Sequence, residues 1–199
     1  MYYELGYSIL LIDQRAHGKS EGKYITFGVK ERFDCLRWCE YVSDNLNEID
    51  EIILGGMSMG ATTVLLASGL KLPCKVKGII SDCGFTSPKD IISRVVNVRY
   101  GIEASVLLPF VNMLCVLIAK FNLYECSVLE AMNNNKLPIL FIHGKSDNFI
   151  PSKMTVQNFE ACRSRKKLLL VECVNHARSY LADKSKVQRA VKAFLESLK

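Results

Sequence analysis

The sequence predicts an α/β protein in which a mostly parallel β-sheet carries helices on both faces. Short, continuous apolar runs alternate along the chain with segments whose apolar residues recur at helical spacing. Such continuous runs are typical of strands buried on both faces of a sheet. The chain has 199 residues, 49% of them hydrophobic and 23% charged. This size and composition indicate a single globular domain and exclude a disordered, collagen-like or coiled-coil protein.

Five apolar runs are the predicted strands. In chain order they span residues 7–13, 51–54, 76–82, 138–143 and 167–173. Each run has between four and seven residues, which suits a buried strand and is too short for most helices. Residues 14–23 are rich in glycine, serine and charge and are predicted to form a loop.

Four segments between or after the strands predict helices. They span residues 28–45, 58–70, 152–162 and 183–198. In the first of them, apolar residues recur every three or four positions from Val29 to Val42. That spacing places them on one face of a helix, where they can pack on the sheet.

Residues 86–135 break the alternation, because they contain no clear strand. They include residues 104–119, sixteen residues without a charge, which are too few to span a bilayer comfortably. We therefore predict a helical insertion that packs over the edge of the sheet. In this division, residues 1–85 and 136–199 form the core and residues 86–135 form a helical cap.

The charge of the chain and its cysteines indicate which partners, thiol state and cellular compartment to expect. The formal charge of +6 comes from scattered Lys and Arg residues, so we expect no nucleic-acid partner. Without an apolar window long enough to span a bilayer, a membrane partner is not expected either.

Most of the eight cysteines lie in or beside apolar runs, and no export signal precedes them. We therefore predict free thiols, a cytoplasmic protein, and no cofactor or metal. The sequence assigns no oligomeric state.

The strongest chemical signal is Gly56-Met57-Ser58-Met59-Gly60, which lies between a predicted strand and a predicted helix. This is the context of a nucleophile elbow, a sharp turn that exposes a serine hydroxyl above a sheet. The turn strains Ser58, and side chains at positions 56 and 60 are expected to collide with it. The backbone N–H of Met59, at a helix N-terminus, is a candidate oxyanion donor.

A serine nucleophile needs a base that is oriented by a carboxylate. His176 follows the last predicted strand, and Asp147 lies four residues beyond the fourth. In a parallel sheet both positions lie at the same edge as Ser58. Asp82, which ends the third predicted strand, is the rival acid. We prefer Asp147 because its loop is polar and turn-like.

The two remaining histidines have other predicted roles. His143 lies at a strand end before a glycine, and we predict that it is structural. His17 lies in the charged loop after the first predicted strand. Its loop is predicted to be held by Asp13 and Arg15, and direct contact of His17 with a substrate is the alternative.

These residues resemble the α/β-hydrolase superfamily and, within it, the bacterial serine-aminopeptidase-like branch. The matching pieces are YSILLIDQRAHGKSEGKYITFG, GGMSMGA, SDCGFTS, PILFIHGKSDNFIP and NHARSY. The resemblance implies the α/β-hydrolase fold, with Ser58 as nucleophile, Asp147 as acid, His176 as base and a cap at residues 86–135.

The function expected from this resemblance is hydrolysis of a small-molecule carboxylic ester through an acyl-enzyme, as in carboxylesterases. One alternative is an aminopeptidase-like peptide hydrolase, for which acidic cap residues would hold the substrate amino group. Glu103, Glu125 and Glu130 are the candidates. A catalytically impaired hydrolase-like module that binds a small ligand or a partner is the other alternative.

The chain departs from the family pattern at its first predicted strand. Family members carry further strands before it, and one of these ends in His-Gly and is followed by a loop that gives a second oxyanion N–H. That strand lies between the equivalents of residues 7–13 and 51–54. The resemblance therefore implies an N-terminally truncated sheet, in which these two strands either pair directly or leave a slot. We expect the isolated chain to be rearranged there, completed by another chain, or unstable.

Overall fold

The computed structural model describes residues 1–101 and 103–199 and contains one sheet of four strands. The strands are β1 (Ile52–Met57), β2 (Val76–Asp82), β3 (Ile139–Gly144) and β4 (Lys166–Val171). They lie in the order β1-β2-β3-β4, and every neighbouring pair is parallel. The predicted parallel sheet is confirmed. Four of the five predicted strands are present, and β2 has the predicted bounds.

Helices connect and cover these strands. They are α1 (Glu31–Asn45), α2 (Met59–Ala67), α3 (Pro88–Tyr100), α4 (Ala104–Leu114), α5 (Val128–Asn134), α6 (Ser152–Ala161), α7 (Ser179–Ala182) and α8 (Lys184–Glu196). A short 3₁₀ turn, Tyr3–Leu5, precedes them, and a π-helical turn, Cys115–Ala119, continues α4. The four helices predicted outside residues 86–135 are α1, α2, α6 and α8.

Helix α1 begins three residues later than predicted, because Gly28 has a φ of +98°, which is incompatible with an α-helix. The buried carboxylate of Glu31 accepts hydrogen bonds from the backbone N–H groups of Thr26 and Gly28, both at 2.8 Å. These bonds fold the preceding loop back onto the first turn. They also provide partners for a charge that is buried away from water.

The two faces of the sheet bury separate cores. Successive residues of a strand point to opposite faces. On β2, Ile79 packs with Leu65 of α2, whereas Ile80 packs with Val191 of α8. The prediction of helices on both faces is therefore confirmed.

The helices in residues 86–101 and 103–135 lie on the α2 side of the sheet. Val96, Leu108 and Leu123 are buried in the same core as Ile79 of β2. The outward side of α4 and of the π-helical turn is also apolar, with Val106, Phe110, Met113, Leu114, Val116, Leu117 and Ile118 exposed.

Within residues 1–101 and 103–199, every helix is too short or too polar to span a lipid bilayer.

The prediction of a strand at residues 7–13 is wrong, because this segment has no regular secondary structure. Its aliphatic side chains, from Ile9 to Ile12, are exposed, and Leu11 is 88% exposed. A strand needs a neighbour with which to exchange hydrogen bonds. A cavity of about 1170 Å³ is lined on one side by residues 10–14 and on the other by Gly55, Gly60 and Thr63. Of the two expected arrangements, the open slot is therefore the one observed.

The slot leaves the outer edge of β1 without a paired strand among the described residues. The N–H groups of Ile52 and Ser58 donate to the carbonyls of Lys75 and Asp82, on the β2 side, both at 2.8 Å. Since successive N–H groups of a strand point to alternate sides, those of Ile53 and Gly55 point towards the slot.

We expect the amide protons of Ile53 and Gly55 to exchange with solvent at least about tenfold faster than those of Leu54 and Gly56. NMR-detected hydrogen exchange on the 199-residue chain measures this directly. Leu54 and Gly56 are matched controls, because they lie in the same strand and face the paired side. Equal protection of both pairs would show that another strand fills the slot in solution.

Candidate active site

Strand β1 passes into α2 through a single residue, Ser58, with φ 54° and ψ −117°. A non-glycine residue in this region is strained and persists only where its surroundings hold it. The N–H of Ser58 donates to the carbonyl of Asp82 at the end of β2, at 2.8 Å. The serine hydroxyl is thereby fixed at the carboxyl edge of the sheet.

The two glycines of the turn differ in their surroundings. A Cβ on Gly56 would lie 2.3 Å from the carbonyl carbon and oxygen of Gly60, a distance that no side chain tolerates. A Cβ on Gly60 would meet nothing within 4 Å, because Gly60 borders the cavity. The predicted collision is therefore correct for position 56 and wrong for position 60.

The structure brings the three predicted catalytic side chains into one chain of hydrogen bonds. Nε2 of His176 lies 3.0 Å from Oγ of Ser58, and Nδ1 of His176 lies 2.7 Å from Oδ2 of Asp147. A carboxylate can only accept, so Nδ1 carries the proton and Nε2 is free to accept one from Ser58. This tautomer is the one that a general base requires.

Asp147 is held by donors on both carboxylate oxygens. Oδ1 accepts the N–H groups of Phe149 and Ile150, at 2.9 and 2.8 Å. Oδ2 lies 3.1 Å from Nε2 of His143 in addition to its bond with His176. Because the side chain of Asp147 is fully buried, these bonds replace the water that it has lost.

His143 is a buried residue with hydrogen bonds at both ring nitrogens. Nε2 lies 2.9 Å from the carbonyl of Ile150, and Nδ1 lies 2.7 Å from Oγ1 of Thr155. Burial lowers the pKa of His143, so the ring is neutral at pH 7, with its proton on Nε2. Its contact with Asp147 is a feature that the sequence analysis missed.

The acid loop and the histidine loop meet through a close approach at Gly144. A Cβ on Gly144 would lie 2.4 Å from the carbonyl oxygen of Val174. That same oxygen accepts the N–H of Ser146 at 3.1 Å. The absence of a side chain at position 144 therefore allows the loop that carries Asp147 to lie against the loop that carries His176.

Solvent reaches the site at His176, whose side chain is 25% exposed. The ring of Phe149 packs edge-on against the imidazole, with 5.1 Å between ring centroids. Met59 is the first residue of α2, where backbone N–H groups have no intrahelical acceptor and the helix dipole favours negative charge. The N–H of Met59, the candidate oxyanion donor of the sequence analysis, therefore lies at the positive end of this helix.

The rival acid, Asp82, takes a different position. Its carboxylate accepts the hydroxyl of Ser179 at 3.2 Å, whereas Asp147 contacts the imidazole. Burial raises the pKa of Asp82 to about 6. The structure thus favours Asp147 over Asp82 as the partner of His176.

One group of potential metal ligands occurs among the described residues, and it overlaps this site. The ligand atoms of Cys83, Asp147 and His176 lie within 4.8 Å of one another. However, Asp147 and His176 already bond each other, and burial raises the pKa of the Cys83 thiol to about 12. The thiol therefore keeps its proton at neutral pH, and the cluster is best described as the surroundings of the histidine.

His17 makes local contacts in its loop. Its Nδ1 lies 2.9 Å from the carbonyl of Arg15. The Asp13 carboxylate accepts the N–H of Lys19 at 3.0 Å, and Arg15 forms an ion pair with Asp34. Asp13 and Arg15 thus hold this loop as predicted.

One family model and two longer proteins match the sequence of the chain. A family model described as "alpha/beta hydrolase fold" matches residues 3–105. The uncharacterized protein YqkD of Bacillus subtilis is 29% identical over 198 residues, which cover 100% of this chain and 65% of YqkD. Protein bem46 of Schizosaccharomyces pombe is 30% identical over 167 residues, which cover 83% of this chain and 50% of bem46. The chain thus spans between half and two thirds of the length of these relatives.

Solved structures show the same fold. The esterase Pf2001 of Pyrococcus furiosus superposes with a TM-score of 0.69 at 23% identity, over 92% of this chain and 68% of the esterase. An acylaminoacyl peptidase of Pyrococcus horikoshii gives a TM-score of 0.62 at 18% identity, over 85% of this chain and 27% of the peptidase. At these identities the similarity concerns the fold alone, and the predicted fold class is confirmed.

Substitution of the two elbow glycines tests the geometry of the turn. We expect Gly56→Ala to lower the free energy of unfolding by about 2 kcal/mol or more, because its methyl group overlaps the backbone of Gly60. Gly60→Ala is the matched control. It should leave stability unchanged or raise it by up to about 1 kcal/mol, because alanine favours a helix. Chemical denaturation measures both, and equal losses would contradict the geometry.

Proposed function

Because the chain belongs to the α/β hydrolase family, we propose that it is a serine hydrolase that cleaves carboxylic esters. The observation that supports this most directly is the chain of hydrogen bonds from Ser58 through His176 to Asp147, at 3.0 and 2.7 Å. The family match covers residues 3–105, which include Ser58 but neither of the other two. The roles of Asp147 and His176 are therefore argued from geometry.

In the proposed reaction, Oγ of Ser58 attacks the ester carbonyl carbon while Nε2 of His176 takes the hydroxyl proton. Asp147 stabilises the resulting imidazolium through Nδ1. The tetrahedral oxyanion binds to the N–H of Met59. His176 then gives its proton to the departing alcohol, which leaves an acyl-enzyme. A water molecule, deprotonated by His176, attacks the acyl carbon and releases the carboxylic acid and free Ser58.

The number of oxyanion donors limits the expected rate. Within the described residues, the N–H of Met59 is the donor that we assign. Loss of one of two donors typically lowers kcat by ~10²–10³. We therefore expect slow turnover from these 199 residues.

Residues 86–135 are proposed to cap this site. The guanidinium of Arg94, in α3, donates to the carbonyls of Asn148 and Phe149 in the acid loop, at 2.7 and 2.9 Å. Phe149 itself is 52% exposed beside the imidazole. The Arg94 bonds connect α3 to the acid loop. The exposed ring of Phe149 beside His176 would suit an acyl or aromatic group of the substrate. The cytoplasmic setting stays a prediction.

Esters are proposed ahead of peptides because an alcohol leaves more readily than an amine. Of the three acidic residues considered for an amino-group site, Glu125 is paired with Arg32 at 3.1 Å. A panel of p-nitrophenyl acyl esters and aminoacyl p-nitroanilides compares the two substrate classes. Faster turnover of the anilides would favour the peptidase alternative.

We expect Ser58→Ala and His176→Ala each to lower kcat/KM for p-nitrophenyl esters by roughly 10⁴-fold or more, because the triad acts as a unit. Asp147→Asn should cost somewhat less. Ser185→Ala, an exposed serine of α8, is the control and should keep full activity. A Ser58→Ala variant with more than about a tenth of the activity would rule out Ser58 as nucleophile.

Labelling with a fluorophosphonate separates an enzyme from a binding module, because only an activated serine reacts. We expect stoichiometric labelling of the unaltered chain and none of Ser58→Ala. An unlabelled native chain would favour the binding module.

A further inference from the structure

Asp82 lies where the nucleophile turn and the histidine loop meet, and the proposed reaction does not use it. Its carbonyl accepts the N–H of Ser58 at 2.8 Å. Its side chain, through Oδ1, accepts the hydroxyl of Ser179 at 3.2 Å. One residue at the end of β2 thus contacts both sides of the site.

Ser179 fixes the end of the histidine loop. It is the first residue of α7 and is 1% exposed. Two residues separate it from His176, and one of them, Ala177, has a φ of 58°, which most residues avoid. A loop this short is constrained once both of its ends are held. The Asp82–Ser179 bond therefore limits where the imidazole can lie.

Asp82 also brings a second negative charge close to the imidazole. Burial raises the pKa of Asp82 to about 6 and repulsion by Asp147 acts in the same direction, whereas the Ser179 hydrogen bond and attraction to His176 act against them. The carboxylate is therefore ionised at neutral pH.

The other titratable groups near Asp82 are uncharged at neutral pH. Burial, together with repulsion by Asp82, raises the pKa of Tyr2 to about 12. Burial likewise raises the pKa of Cys83 to about 12. In the described part of the chain, the charged groups that act on Asp82 are thus Asp147 and, once it has taken the proton of Ser58, His176.

We propose that Asp82 is a positioning residue of the triad: it holds the histidine loop through Ser179, and its charge favours the imidazolium that forms when Ser58 loses its proton. This inference rests on the proposed function. Asp82 does not replace Asp147, which bonds Nδ1 of the imidazole. It acts on the same ring from a different strand.

Asp82→Asn separates the charge of Asp82 from its shape, because the amide oxygen can still accept the hydroxyl of Ser179. We expect kcat/KM at about pH 7.5 to fall about three- to tenfold through kcat, with KM little changed. In the unaltered chain, the part of the kcat/KM profile that Asp82 controls should be a step near pH 6, where Asp82 gains a proton. Division of this profile by that of Asp82→Asn should isolate the step, because the pH dependence that both proteins share cancels.

Ser179→Ala removes the hydrogen bond and keeps the charge. We expect kcat to fall, while the step in the pH profile persists and moves to higher pH. The direction follows because the Ser179 hydroxyl lowers the pKa of Asp82. A purely structural role for Ser179 would not move the step.

Thermal unfolding distinguishes a charge effect from misfolding. A carboxyl group whose pKa is raised on folding lowers the free energy of unfolding at a pH above the folded pKa. This loss of stability disappears at a pH below the pKa of the group in the unfolded chain, which is about 4. Asp82→Asn should therefore have a higher Tm than the unaltered chain at about pH 7.5, and the difference should shrink towards pH 4. Asp44→Asn, an exposed carboxylate of α1, is the control and should change neither activity nor this pH dependence.

The outcomes separate this inference from the proposed function. An active Ser58→Ala would overturn the proposed function and, with it, the triad that Asp82 is said to serve. If Ser58→Ala is inactive while Asp82→Asn keeps full activity and the step near pH 6, only the role of Asp82 is overturned. A loss of activity accompanied by a lower Tm at about pH 7.5 would make Asp82 structural and would also overturn the inference.

Discussion

A carboxylate buried away from water must receive hydrogen bonds on both of its oxygens, and the site is built around one that does. Asp147 receives them from two N–H groups of its own loop, from His143 and from His176. These donors fix the conformation of the acid loop and the tautomers of two imidazoles. Removal of one donor would leave part of a buried charge unpaired, so the arrangement depends on every member.

The donors converge because the strands are parallel. Each strand ends at the same edge of the sheet and is followed by, or ends in, one residue of the site: Ser58 after β1, Asp82 in β2, Asp147 after β3 and His176 after β4. Left-handed residues are common at this edge, at Ser58, Cys83, Cys173 and Ala177. Such residues let the chain turn sharply out of a strand, at the cost of local strain. The parallel arrangement of the strands therefore brings the residues of the site to one edge of the sheet.

The sequence predicts this arrangement as far as local patterns reach. The apolar residues of segment 76–82 predict a strand, and its bounds are those of β2, in which Ile79 and Ile80 are buried on opposite faces. Residues 7–13 have the same pattern, yet they form no strand. Strand formation depends on a neighbour, and a pattern within one segment carries no information about that neighbour.

The hydrogen bonds between loops at the site could not be predicted from the sequence, for a related reason. The bond from His143 to Asp147 and the bond from Ser179 to Asp82 depend on how loops pack at the ends of different strands. Residue types and spacing indicate which side chains reach that edge, but not which of them touch. The elbow glycines show the same limit, since only the structure distinguishes the crowded position 56 from the open position 60.

The unpaired edge of β1 affects how molecules of this protein associate with one another. Exposed strand edges are templates for pairing between molecules, and natural proteins blunt them with lysine, proline or a covering segment. The sequence of β1, IILGGM, contains neither lysine nor proline. Its two glycines weaken strand propensity, which slows such pairing without preventing it. Aggregation of the purified chain is therefore expected to begin at this edge and to depend steeply on protein concentration.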